Sequence, residues 1–217
     1  MADLAVRITP PPFYDILIAT IPHRHEKLCG LLAELDRQWQ PGLGAIVYRD
    51  NLENPTGDKR QALLEASRAQ YVSFVDDDDE VSPFFVPRIM GALSCGPDYV
   101  GFKVNYWDDG ELAMQAEHSL RYDGWHTWPE KMIRDISHLN PLRRELALDG
   151  RFTGDSSEDH DWAAGVRASG RVRDEEWVTE VMYEYRFSEA DCHRTARRPL
   201  KADRIKPLPS YPWLVTL

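Results

Sequence analysis

The sequence predicts an α/β fold, a mostly parallel sheet flanked by helices and folded as a single domain. Three observations carry that expectation. Short apolar runs of strand length alternate with segments of helical period through the first two-thirds of the chain. The 217 residues are 42% hydrophobic, with seven Trp, nine Tyr and seven Phe, which is enough to fill one core and argues against disorder. Four aspartates and a glutamate, Asp76 to Glu80, directly follow the third strand-like run. Ligands of parallel sheets bind at the carboxyl ends of strands.

Each element has its own signal. Asp15 to Thr20 is a continuous apolar run ended by Pro22, as expected of a strand buried on both faces. Glu26 to Gln38 spaces Leu28, Leu31, Leu32 and Leu35 as a helix and stops before Pro41-Gly42. Ala45 to Tyr48 reads as a second strand, Asp58 to Gln70 as a helix and Tyr71 to Val75 as a third strand. Ser82, followed by Pro83 and an apolar stretch to Leu93, predicts a capped helix. Asp98 to Tyr106 is a further strand, and Gly110 to Pro141 is aromatic-rich and irregular. A helix over Glu158 to Ala168 and strands near Val172 and from Val178 to Phe187 complete the pattern.

Several chemistries are excluded by spacing. Gly42 and Gly44 begin a dinucleotide fingerprint, but Val47 stands where its third glycine belongs. Gly57-Asp58-Lys59 lacks the spacing of a P-loop, and Cys29 replaces the second histidine of a zinc-protease helix begun by His25-Glu26. Val81 occupies the glycine position of a calcium loop. Cys29, Cys95 and Cys192 form no CxxC, which points to a reducing compartment without structural zinc. No apolar run near the start is long enough to cross a bilayer, so the chain is expected to be soluble, cytoplasmic and without membrane contact.

The net charge of −10 is unevenly distributed. From Asp191 onward the chain carries +4, and the preceding residues carry −14. The acidic body argues against broad nonspecific nucleic-acid binding. The basic end is either a solvated tail or a contact for an anionic ligand.

The acidic run is the strongest functional signal. Carboxylates this dense repel one another, and a hard, oxygen-preferring cation such as Mn2+ or Mg2+ relieves that repulsion and bridges to a diphosphate. The plain alternative is a solvated acidic turn.

With Tyr71-Val-Ser-Phe-Val-Asp-Asp-Asp-Asp79, the chain resembles the family 2 glycosyltransferases, whose fold is GT-A. The likeness runs from Asp15 to His193 as an ordered set of elements. Gly57-Asp-Lys-Arg-Gln-Ala-Leu resembles the family's Gly-x-x-Arg-Asn-x-Gly helix, with Gln61 replacing Asn. Thr20-Ile21-Pro22 parallels its first strand and turn, and Asp50-Asn51 its Asp-Asp pair, whose first carboxylate meets the uracil edge. Ser157-Glu158-Asp159 resembles the Glu-Asp motif that supplies the catalytic base, and His193 stands where a late metal-binding histidine occurs.

The resemblance implies a metal-dependent, inverting transfer from a UDP-sugar to a hydroxyl. Asp78 and His193 would hold the metal, and Asp76 the ribose or a metal-bound water. Thr20, Pro22, Asp50, Arg60, Asp76 and Asp77 would line the nucleotide. Arg194, Arg197 and Arg198, directly after His193, would either close over the diphosphate, guide a polyanionic acceptor such as DNA, or lie in a solvated tail. Asp159 would be the base, with Asp161 in reserve. Each has an ordinary alternative: Asp159 among the helix-capping residues Asp155, Ser156 and Ser157, Arg60 in a pair with Glu53 or Glu65, and Asp50 in a turn. The organisation expected is a catalytic body over 1–190 and a basic segment over 191–217 packing on or near the site. The acceptor is either a saccharide or a hydroxymethylated base in DNA, with Trp107, Trp125, His126 and Trp128 in the region where it would sit. An Asp-x-Asp phosphohydrolase and a noncatalytic sugar-nucleotide-binding protein are the rival classes.

Overall fold

The computed structural model describes residues 11–188 and 198–217. Its sheet has eleven strands among these residues. One half is parallel. Strand β1 (Tyr14–Thr20) lies between β2 (Leu43–Arg49) and β3 (Tyr71–Phe74), and β11 (Leu214–Thr216) pairs in parallel with β2 at the edge. Helices α1 (His25–Gln38) and α2 (Thr56–Ala66) make the crossovers, with a 3-10 turn at Pro22–Arg24 ahead of α1. Side chains alternate as the pleat requires: Ile16 and Ile18 join a core with Leu28, Leu32 and Leu35 of α1, whereas Leu17 faces Leu63 and Leu64 of α2.

The other half is mixed. Strand β5 (Tyr99–Asp108) pairs antiparallel with β6 (Glu111–His118) and parallel with the long β10 (Glu175–Phe187). The ladder continues through β8 (Lys131–Arg134) to β7 (His126–Trp128). Short β9 (Leu142–Arg143) links β3 to β5, and β4 (Glu80–Val81) pairs with β10. Helix α3 (Phe85–Leu93) packs on the α1 face, α4 (Arg144–Ala147) follows β9, and α5 (Glu158–Ser169) buries Trp162 and Val166 on the α2 face.

The α/β class and the sheet flanked by helices are as predicted; the first half is parallel throughout, and the second mixes parallel pairs, β5–β10 and β6–β8, with antiparallel ones. Four local expectations are corrected. Gly110 to Pro141 is only partly irregular: Asp109 and Gly110, with φ of +45° and +91°, turn β5 into β6, and β7 and β8 extend the ribbon between turns. Ser82 does not cap α3; its backbone N–H bonds Met182 O and its hydroxyl lies beside Met182 Sδ. The second helix stops at Ala66, because Ser67 turns its hydroxyl to Asp15 Oδ2 (2.6 Å) as the chain re-enters the sheet. No strand forms near Val172, which packs against the core, and Glu175–Phe187 is one continuous strand.

The described part of the basic C-terminal segment is built into the fold. Besides the β11 pairing, Trp213 is buried against the α1 face, and Leu200 exchanges two hydrogen bonds with the Asn51 side chain. Among the described residues no helix is long and apolar enough to cross a membrane.

Candidate active site

The strand ends converge on a cleft of about 870 Å³. Thr20 comes from the end of β1, Asp76 to Asp79 from the loop after β3, Tyr106 from β5, and Tyr185 to Ser188 from the end of β10. Lys59 and Arg60 of α2 and Glu158 and Asp159 of α5 close one side, and Trp125, Arg134 and His138 another. Apolar strands thus run out into a polar rim at one end of the sheet, where backbone groups and acidic side chains can meet a ligand.

The four aspartates are held by a small set of partners, some of them shared. Arg60 lies between Asp76 Oδ1 (2.6 Å) and Glu158 Oε1 (2.7 Å). Arg24 bonds Asp77 Oδ1 (2.7 Å) and Asp78 Oδ2 (2.8 Å), and Thr20 Oγ1 donates to Asp77 Oδ2 (2.6 Å). Asp79 accepts from the Tyr183 hydroxyl (2.8 Å) and from Arg186 N (2.6 Å), while Asp76 N donates back to that hydroxyl. Two guanidinium groups therefore face a loop of four carboxylates.

The surplus of negative charge shows in the protonation energetics. Burial raises the Asp76 carboxyl, but the charge and hydrogen bond of Arg60, with the Arg24 charge, outweigh burial and hold it below its ordinary pKa. Burial pushes Asp78 up to about 6, with Asp77 and Asp76 adding to the shift against Arg24. Asp77 is raised by burial despite Arg24 and Thr20, and Asp79 is raised well above the carboxylate range by burial and by the Asp76 and Asp78 charges. A further cation at this loop would lower all of these costs.

The residues present fit Mn2+ or Mg2+. Asp76 and Asp78 offer hard carboxylate oxygens at the cleft wall. No group of three His, Cys, Asp or Glu able to cage a metal occurs among the described residues. Mg2+ needs none, since it is commonly bound through one or two carboxylates and the substrate's phosphates. His193, Arg194 and Arg197 lie outside the described residues; Arg198 is described and exposed.

Other sequence-predicted residues divide clearly. Asp159 lines the cleft, with Oδ1 accepting His160 N (2.8 Å), whereas Asp161 is exposed and off the cleft. Ser157 makes no side-chain cap, and Asp155 accepts Thr56 N across the site instead. Asp50 is buried beside the cleft, held by Lys59 Nζ (3.1 Å) and by Asn54 N (2.7 Å). Pro22 is buried in the 3-10 turn, off the cleft lining. Arg60 pairs with neither Glu53 nor Glu65 but with Asp76 and Glu158. Gly57 is required where it stands, because a Cβ there would lie 2.6 Å from Gly154 O. Of the aromatic residues expected at the acceptor, Trp125 lines the cleft and Trp107, His126 and Trp128 do not.

Sequence reasoning missed Arg24, Tyr183 and His138, and gave Asp79 no role of its own within the acidic run. Arg24 had a usable signal, since it lies in the turn just past the first strand end. Tyr183 had none, because its partner Asp79 is 104 residues away in sequence, and His138 had none, because only the folded packing brings Phe74, Phe152 and Asp159 around it.

The sequence matches no family profile and no curated protein. Solved structures share its fold. S. aureus TarS 1-349 in complex with UDP-GlcNAc superposes with a TM-score of 0.63 at 15% identity, over 85% of this chain and 61% of that one. The same TarS fragment in complex with UDP gives 0.59 at 14% identity, over 81% of this chain and 60% of that one. A mycobacterial protein gives 0.54 at 16% identity, over 81% of this chain and 68% of that one. The chain thus spans about three-fifths of the TarS fragment. The shared fold is the GT-A fold that the sequence predicts.

Proposed function

We propose that this chain transfers a sugar from a UDP-sugar to an acceptor hydroxyl, with inversion and with metal assistance. The observation that carries this reading is the convergence of Asp76, Asp78 and Asp159 on one cleft at the carboxyl ends of the strands. The neighbouring TarS structures, one holding UDP-GlcNAc and one UDP, support it.

The residues divide the work. Thr20, Arg24 and Arg60 fix the acidic loop, so that Asp76 and Asp78 face the donor's ribose and diphosphate. Mn2+ or Mg2+, held by Asp78 with Asp76, would offset the negative charge that develops on the departing diphosphate. Asp159 takes the proton of the acceptor hydroxyl as that oxygen attacks the anomeric carbon from the face opposite the diphosphate. A single displacement of this kind inverts the centre. The acceptor hydroxyl belongs to a saccharide, with Trp125, Tyr106 and Tyr185 supplying the aromatic wall.

Isothermal titration with UDP, with and without Mn2+, tests the donor. The expected result is metal-enhanced binding; no binding under either condition in folded protein overturns the reading. Release of UDP from a UDP-sugar separates a transferase from a noncatalytic binder, and phosphate release from an aryl phosphate would mark the phosphohydrolase instead. Transfer to hydroxymethylated DNA, in place of a saccharide, would reassign the acceptor alone.

A further inference from the structure

Within this cleft, the buried His138 side chain, 6% exposed, has no hydrogen bond at either ring nitrogen. Buried polar groups of native proteins are almost always paired, so an exception asks for a role. The ring is firmly set. Phe74 and Phe152 pack against it at 5.9 and 6.4 Å, and His138 O accepts Phe74 N (2.8 Å) from the neighbouring strand. Nδ1 faces Asp159 Oδ2 at 4.0 Å, just beyond hydrogen-bond reach. Arg60, Asp76 and Asp159 are the charged groups acting on the ring. Burial first, and Arg60 second, lower its pKa to about 4, so it is neutral and carries one N–H.

We infer that His138 is the positioning residue of the base, donating Nδ1–H to Asp159 Oδ2 when the acceptor engages. This rests on the transferase reading above. Closing the gap takes a shift of about 1 Å, given an ordinary N–H···O distance near 2.9 Å. Asp159 has room to move, since its side chain is 32% exposed. With Oδ2 held by the imidazole, Oδ1 leaves His160 N and turns to the acceptor. The acceptor O–H bond breaks and its proton passes to Asp159 Oδ1. The acceptor oxygen bonds the anomeric carbon, whose bond to the diphosphate oxygen breaks with the electron pair leaving on the diphosphate. His138 stays neutral throughout. This is the arrangement of a base oriented by a third group.

The test compares His138→Phe and His138→Asn with the wild type. Phe keeps the packing against Phe74 and Phe152 without a donor, and Asn restores one. His138→Phe is expected to lower kcat about 10–100-fold, the scale of a misplaced catalytic group. The UDP affinity, the donor KM and the melting temperature should stay near wild type, and His138→Asn should recover part of the loss. Full kcat in His138→Phe overturns the assignment. So does parallel loss of UDP binding in both variants, which would make the ring a packing element. Imidazole 15N NMR of the wild type and Asp159→Ala gives a readout independent of turnover. An Nδ1–H tautomer that is lost in Asp159→Ala supports the pairing, and an Nε2–H tautomer in the wild type overturns it. If the wild type turns over no UDP-sugar, the transferase reading falls and the tautomer alone decides whether His138 and Asp159 are coupled.

Discussion

The two halves of the sheet meet at the cleft but are built differently. The parallel half, β11-β2-β1-β3, is packed against apolar clusters on both faces, with Tyr14, Tyr71 and Phe74 among its aliphatic residues, and ends in charged groups that are already paired with one another. The ribbon half, β5 to β8, grows more polar and exposed toward its outer strands, and brings Tyr106 and Trp125 to the cleft with one charged group, Arg134. Under the proposed transfer, the difference separates two tasks. Holding a diphosphate and its counter-ion needs fixed charges on rigid strands, whereas holding a neutral hydroxylated acceptor needs apolar area with few polar anchors.

Asp159 stands at the seam, and its loss should have the largest effect. Asp159→Asn is expected to lower transfer by ~10²–10⁴, as for a lost general base, while UDP affinity stays near wild type. Asp161→Asn, off the cleft, should leave turnover unchanged. Steady-state rates and UDP titration of both variants check this pair. The reverse result would move the base one helical step along α5.

Breaking the charged half from within should cost stability. Arg60 is 6% exposed and ties α2 to both the acidic loop and α5 through Asp76 and Glu158. Burial disfavours its charge, but Asp76 and Glu158 outweigh burial and keep it protonated. Arg60→Met removes the cation between the buried Glu158 and the half-buried Asp76, which should destabilise the fold by ~3 kcal/mol. Denaturant unfolding measures it. A loss below ~1 kcal/mol would mean that water already screens the pair, as at exposed ion pairs.

The same contrast explains what could be read in the sequence. Ile16 to Ala19 and Tyr71 to Val75 are legible as strands because they are apolar on both faces, and the aspartates after Phe74 mark the site because no core tolerates them. The β6 strand hides because its side chains alternate between exposed Leu112 and Glu111 and buried Ala116, with no apolar run. Its one local clue is the Asp109-Gly110 turn, whose two positive φ values are the preference of two-residue hairpins. The arginine pairings were only half legible. Arg60 lies in a spaced motif, but that Glu158 would be its partner depends on α5 docking beside α2.

A buried histidine of the ribbon half offers a pH test. His118 is 1% exposed, with Nδ1 within 2.7 Å of Asn140 Oδ1 and its ring stacked on Phe102. Burial lowers its pKa to about 3, with Arg134 and His138 adding to the shift against the Asn140 bond. Between that value and the unfolded pKa of about 6.5, the unfolded chain binds the proton and the native chain does not. Stability therefore falls as pH falls below about 6.5, by up to ~1.4 kcal/mol per pH unit from this group. His138, lowered to about 4, acts in the same direction, while the raised Asp77, Asp78 and Asp79 act oppositely. The bare wild-type profile mixes these, so the difference between wild type and His118→Gln isolates the term. That difference should shrink steadily from pH 6.5 to 4 in urea unfolding, and a constant offset would show that His118 is already protonated in the native state.

The smallest expected effect sharpens the division between donor and acceptor sides. Trp125 lines the cleft with its ring held in place: Nε1 donates to Ile136 O (2.7 Å), Arg134 lies 4.7 Å over the ring, and His160 meets it edge-on at 5.5 Å. None of these partners belongs to the acidic loop. If the ribbon half serves the acceptor, Trp125→Ala removes a stacking face worth ~0.5–1.5 kcal/mol, so the acceptor KM rises about 2–10-fold. Hydrolysis of UDP-sugar without acceptor, and UDP affinity, should not change, because the donor contacts lie on the parallel half. Trp125→Phe should lie between wild type and Trp125→Ala, since it keeps a ring but loses the bond to Ile136 O. An equal rise in the KM for donor and acceptor would place the nucleotide base against Trp125. The aromatic wall would then belong to the donor, and the acceptor would enter past Tyr185 and Phe187 at the end of β10.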